Sequence, residues 1–247
     1  MTIALSHENP TFTGKAYNDK NDSLERLRDD IISCRKCKRL VKFREKIAKE
    51  KTKRFREQEY WGKPVPGFGP VNARLVVIGL APAAHGGNRT GRVFTGDLSA
   101  RFLMKGLYNA GFANQPNSDY IGDGLQLKDC YILAAVRCVP PDNIPTREEM
   151  QNCFPFLRRE LDLLTSSKAI LLLGKIAFDS YIKYVKHYGI GMPSKMVFKH
   201  ANSYDLDDGK RIFASFHPSP RNTNTGNLTH DMFKTLLNSI KEFIQDS

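Results

Sequence analysis

Long apolar runs are missing from this 247-residue chain, and no stretch approaches the ~20 apolar residues of a bilayer-spanning helix. Met1 to Pro10 also lack the basic and apolar segments of a secretory signal, which predicts a cytoplasmic, nucleoid-associated protein that meets no membrane. Cysteine is scarce. Five thiols are too few, and odd in number, for a secreted disulfide scaffold, so metal ligation becomes the competing explanation for them. Acidic side chains are outnumbered, 26 against 38 lysines and arginines, and the resulting charge of +12 favours a polyanionic partner such as nucleic acid. Internal repeats and low-complexity tracts are absent, which removes solenoid and disordered architectures.

The length suits one domain with a substantial core. Residues 1–22 are polar and unpatterned and read as a flexible tail, leaving 23–247 as a single domain. Ser23 caps a helical pattern with Leu24, Leu27 and Ile31 on one face. Arg44 to Arg56 is dense in basic residues, either a solvated helix face or a phosphate contact. Tyr60 to Pro70, with its prolines and glycines around Trp61 and Phe68, reads as an ordered loop.

Branched apolar runs at Leu75 to Ile78, Tyr131 to Val136, Ala169 to Leu173 and Ile212 to Phe216 read as buried strands. They alternate with helical patterns at Leu98 to Ala110, Arg147 to Leu164, Ile176 to Val185 and Leu228 to Ile244. This order predicts an α/β fold, a four-stranded parallel sheet flanked by helices on both faces in three α/β/α layers. Ligands of such sheets bind beyond the carboxyl ends of the strands, where the residues richest in chemistry fall. The first strand runs into Gly79-Leu-Ala-Pro-Ala-Ala-His-Gly-Gly-Asn-Arg-Thr-Gly-Arg-Val-Phe-Thr-Gly-Asp97, the second into Arg137-Cys-Val-Pro-Pro141, the third into Gly174-Lys175 and the fourth into His217-Pro-Ser-Pro220. A polar loop so dense in glycine leaves many backbone donors in need of partners, and it suits the enclosure of a small polar ring.

Cys34 and Cys37 are separated by two residues, while Cys138 and Cys153 come much later in the chain. Four thiolates match tetrahedral zinc and a [4Fe-4S] cluster equally in donor count, and the wide second spacing tilts towards the cluster. Cys130, at the start of a strand, reads as a small buried hydrophobe.

Together, the loop from Gly79 to Asp97, His217-Pro-Ser-Pro220 and the four-cysteine pattern resemble the iron-sulfur uracil-DNA glycosylases of family 5, or type B. Tyr60-Trp-Gly-Lys-Pro-Val-Pro-Gly67 and Gly174-Lys-Ile-Ala-Phe178 add weaker support, and the likeness runs from the first cysteine to the C-terminus. The resemblance implies a monomeric, monofunctional glycosylase that hydrolyses the N-glycosidic bond of a deaminated base in DNA and leaves an abasic site. It also implies a structural [4Fe-4S] cluster on Cys34, Cys37, Cys138 and Cys153. The lesion must be flipped into a pocket before its glycosidic bond is reachable. In that pocket Phe94 would stack on the base, and backbone amides of Gly79, Leu80 and Ala81 would bond its carbonyl edge. His217 would donate to the uracil O2 as negative charge builds, its other nitrogen held by a neighbour.

His85 is a lining residue in this reading, and Ser219, Pro220 and Arg221 enter the minor groove. Arg89, Arg92 and Arg137 hold the DNA backbone. Two departures stand out. Leu80 and Ala81 are apolar where other branches carry an acid or amide, leaving Asn88 to orient a water and Asp97 to act electrostatically. Ala134 stands where the family often has the Asn that reads uracil, so specificity extending to hypoxanthine and xanthine is expected. The rival readings are a non-catalytic or redox-sensing iron-sulfur nucleic-acid-binding protein and a zinc-stabilised DNA module.

Overall fold

The computed structural model describes residues 22–246. Most of the expected tail therefore lies outside the described residues. Asp22, taken as its last member, is fixed, because its carboxylate accepts from Arg159 at 2.8 and 3.0 Å. Ser23 caps α1 (Leu24–Ser33), accepting from the Arg26 amide. After α2 (Lys38–Glu50), the segment Tyr60 to Pro70 forms the expected ordered loop, tied down by Trp61 N–H to Arg89 O, Val65 N–H to Arg137 O and Phe68 N–H to Ile132 O.

The sheet comprises β1 (Leu75–Gly79), β2 (Cys130–Ala134), β3 (Ala169–Leu173), β4 (Ser203–Asp205) and β5 (Arg211–Ser215), in the order β2-β1-β3-β5-β4. The four apolar strands are parallel, as expected. The fifth is a correction to the expected count: β4 runs antiparallel to β5 at the sheet edge, with Ser203 opposite Phe213. It is short and polar, so no apolar run announces it.

Alternation along the strands divides the core in two. Leu75, Val77, Leu171 and Leu173 pack against α4 (Leu98–Ala110) and α8 (His230–Asp246) through Leu103, Leu107, Phe233 and Leu237. Val76, Ile78, Ile170 and Leu172 face α5 (Arg147–Leu163) and α6 (Lys175–His187) through Leu157, Leu161, Phe178 and Tyr181. The result is the three-layer α/β/α architecture. Two short helices, α3 (Gly87–Thr90) and α7 (Pro220–Asn224), lie in the loops after β1 and β5. No described helix is long and apolar enough to cross a membrane.

Candidate active site

At the carboxyl ends of β1, β2 and β5 the chain encloses a cavity of about 620 Å³. Leu80, Ala81, Phe94, Asp97, Ala134, His217, Ser219, Pro220 and Arg221 line it, so the β1 and β5 loops converge as the sequence suggested. Register explains the floor. Gly79 pairs with Ala134 across the parallel strands, and the ladder continues past the strand ends through Ala135 N–H to Gly79 O and Val136 N–H to Leu80 O.

Phe94 forms one wall in a left-handed conformation with φ of +47°, a costly backbone for a bulky residue. Its ring lies so close to Gly79 that a Cβ there would come within 2.7 Å of it. Glycine at position 79 is therefore what lets the ring lie against β1. The His217 ring sits 6.0 Å away, tilted 30° to Phe94.

His217 is held through its backbone. Its carbonyl accepts from Ser219 N–H and Asn222 Nδ2, both at 2.8 Å, and the side chain packs against Gly174. Its imidazole is reachable from the cavity but walled in by protein, and lost hydration pushes its pKa down to about 4. The ring is therefore neutral at pH 7. The expected partner for its second nitrogen is not found: neither ring nitrogen bonds a protein group among the described residues. Asp97 caps α4, accepting from the Ala100 amide at 2.9 Å, and burial raises its pKa above the usual carboxylate value.

Other expectations fall elsewhere. Asn88 is buried away from the cavity, donating from Nδ2 to the Arg44 carbonyl at 3.2 Å. The His85 ring pairs through Nδ1 with the Tyr60 hydroxyl at 3.1 Å and does not line the cavity. All three arginines expected at the DNA backbone turn inward. Arg89 is buried against the Phe55 ring and donates to Gln58 and the His85 carbonyl. Arg92 is paired with Asp123 at 2.7 Å. Arg137 is 1% exposed and lies 2.5 Å from Glu160, whose other oxygen accepts from Tyr131 and the Gly67 amide. Each answers a local burial problem that a lone sequence cannot display.

Asn143 and Leu98 also line the cavity and were missed. Asn143 follows Asp142 in a turn where both have positive φ, a conformation these residue types tolerate, and Pro140-Pro141 ahead of them is the signal that was available. Leu98, first residue of α4, is 60% exposed at the mouth.

Behind the cavity the four singled-out cysteines gather. Cys138, Cys153, Leu40 and Val136 form one cluster with Cys37 against it, and Cys34 interacts electrostatically with Cys37, Cys138 and Cys153. Burial pushes the thiols of Cys138 and Cys153 up to about 12 and about 11. Cys130 sits apart in the core, its thiol also raised by burial, as a hydrophobe should. No three described His, Cys, Asp or Glu side chains are gathered closely enough to hold a metal ion as they stand. Arg44, 2% exposed, points Nη1 at Cys138 Sγ and Nη2 at the Cys34 carbonyl, while its Nε has no partner.

Residues 66–241 match the uracil DNA glycosylase superfamily. The chain belongs to that superfamily. Within it, the chain is 44% identical over 211 residues to a type-5 uracil-DNA glycosylase of Thermus thermophilus, covering 85% of this chain and 94% of the relative. A type-5 uracil-DNA glycosylase of Pyrobaculum aerophilum is 42% identical over 207 residues, covering 84% and 87%. One from Mycobacterium leprae is 42% identical over 221 residues, covering 89% and 95%. The matched residues 66–241 take in the cavity lining from Leu80 to Arg221 together with Cys138 and Cys153.

Proposed function

We propose that this protein is a monofunctional uracil-DNA glycosylase of the type-5 kind, which hydrolyses the N-glycosidic bond of uracil in DNA and leaves an abasic site. The observation that carries the reading is the neutral His217 imidazole beside the Phe94 ring, centroids 6.0 Å apart, both lining a cavity with room for a flipped base. Phe94 stacks on the base through its open face, and the Gly79–Ala81 backbone meets the carbonyl edge. As the bond breaks, negative charge grows on the base oxygen. A neutral imidazole donates one hydrogen bond to it there, and with no described protein group holding the other nitrogen, the base itself selects the tautomer.

Water attack on the electron-poor sugar needs placement more than a strong base. Among the described residues Asp97 is the one carboxylate lining the cavity, and its charge stabilises the sugar cation from the pocket wall. Asn88 has no part in that step, because it faces Arg44. Ser219, Pro220 and Arg221 at the mouth, across from exposed Leu98, enter the duplex as the base leaves the stack.

Specificity is broader than uracil in this reading. Ala134 at the floor offers only a methyl group where an amide would discriminate, so hypoxanthine and xanthine are also accepted. Cys34, Cys37, Cys138 and Cys153 would hold a [4Fe-4S] cluster. The donor set fits in chemistry: the buried Arg44 guanidinium points at Cys138 Sγ and is ion-paired to no described carboxylate, and thiolates would supply its missing anion. Bound there, such a group would serve structurally, because Cys34, Cys37, Cys138 and Cys153 would tie α1, α2, α5 and the segment after β2 together.

The deciding experiment is base release from duplexes carrying single uracil, hypoxanthine or xanthine lesions, for wild type and His217→Ala. Abasic sites formed by wild type and nearly absent with the variant are expected. No release from uracil would sink the reading, and release from uracil alone would remove its broader part.

A further inference from the structure

The inward turn of Arg89, Arg92 and Arg137 leaves unanswered which cations meet the DNA. A second groove, of about 470 Å³, begins where the base cavity ends, and the two share Leu98. Its floor is α4, whose Leu98, Arg101, Phe102 and Lys105 lie at helical spacings of three and four along one face. Its far wall is the connection from α7 to α8, contributing Thr223, Asn224, Thr229 and His230. His230 stacks on Phe102 with centroids 4.2 Å apart, which fixes the wall to the floor.

The charge in this groove is one-sided. Arg101 and Lys105 are exposed, neither is ion-paired to a described carboxylate, and no acid lines the groove; Asp231 adjoins His230 on α8 outside it. Thr223, Asn224 and Thr229 line the same groove and add hydroxyl and amide groups to it. This is the donor set that holds phosphate oxygens without reading bases. The groove's length also suits a strand. Leu98 to Lys105 rises about 10 Å at ~1.5 Å per residue, the axial span of roughly three phosphates at ~3.4 Å each.

We propose that this groove is the backbone track for the strand carrying the flipped nucleotide, with Arg101 and Lys105 on consecutive phosphates beside the lesion. The assignment rests on the glycosylase reading, since the flipped nucleotide must leave its own strand at the cavity mouth, where Leu98 joins the two spaces. It also explains why the pocket lacks a cation of its own apart from Arg221: the phosphates next to the lesion are held outside it.

The test is binding of a uracil-containing duplex across a salt series by wild type, Arg101→Gln, Lys105→Gln, the double variant and Lys186→Gln. Lys186 lies in the last turn of α6, at the opposite end of the sheet from the cavity, and serves as control. Each lost phosphate contact should flatten the slope of log affinity against log salt by about 0.9, so the double variant is expected to lose about 1.8 and the control nothing. Thermal melting checks that the exposed substitutions leave the fold intact. A double variant that keeps the wild-type slope overturns the groove, as does weakened binding with an unchanged slope. Failure of the glycosylase reading is visible separately, as a wild type that releases no uracil from the same duplex.

Discussion

The guanidinium of Arg44 lies 3.5 Å from the sulfur of Cys138, and the carbonyl of the same residue accepts from the Asn88 side chain. One buried residue therefore touches both the four-thiol site and the loop that walls the base cavity. A buried cation without an anion beside it costs several kcal/mol, and the thiolates of a loaded four-cysteine site would supply that anion to Arg44. Arg44→Met is expected to yield protein with less iron and weaker absorbance near roughly 400 nm than wild type, while Arg44→Lys retains more of both. Equal iron content in all three proteins would disconnect Arg44 from the cluster.

His217→Ala should lower the rate of uracil release by about 10²–10³, the usual cost of removing a donor aimed at developing negative charge. Binding of the lesion duplex should change far less, since the ground-state carbonyl carries little charge. Single-turnover rates beside dissociation constants separate the two.

Low hydration of His217 also has a consequence for stability. Its folded pKa of about 4 lies below the ordinary value of 6.5, so the unfolded chain takes up the proton first as pH falls. The native state loses stability from this residue between about pH 6.5 and pH 4, by up to ~3 kcal/mol at ~1.4 kcal/mol per pKa unit. Melting temperatures of wild type and His217→Gln should converge or cross on acidification. A constant gap between pH 7 and pH 4.5 would contradict the depressed value.

Phe94→Ala should weaken binding of the extruded base by about 1–3 kcal/mol, the usual worth of a base stacked on an aromatic ring. Ala134→Asn should restore a reader at the floor and favour uracil over hypoxanthine by about 1–3 kcal/mol. Rates on the two lesions, compared as a ratio, report the second effect. An unchanged ratio would place base selection elsewhere in the cavity.

Arg137→Met should cost about 3–5 kcal/mol of stability, because it leaves Glu160 charged and unpaired in the core. Its salt dependence of DNA binding should match wild type. Urea unfolding and duplex titration together distinguish this buried role from the phosphate contact that the sequence suggested.

How much was legible depended on which physical signal a residue carries. Runs such as Leu75 to Ile78 and Ala169 to Leu173 announce buried parallel strands, and the apolar periodicity from Arg147 announces α5. β4 has no such run, because a three-residue edge strand with Ser203 and Asp205 exposed and only Tyr204 half-buried is specified by its neighbour β5. The pocket loop was readable from its glycines and from Phe94. Arginine was not, since Arg92 and Arg137 look like surface cations until Asp123 and Glu160 arrive from distant segments. Asn88 failed for a similar reason. Its partner, Arg44, belongs to a helix the loop meets only in three dimensions.

The contact between Gly79 and Phe94 also restricts how this site can change. With one face of the ring sealed against β1 and its backbone already bent, the aromatic wall can neither retreat nor thicken without disturbing the strand. The position of the stacking wall is thus fixed, whatever the substituents of the ring that meets it. Substitutions at Ala134, Ala81 and Leu80, which line the same cavity, would change what the pocket admits while leaving the stacking wall untouched.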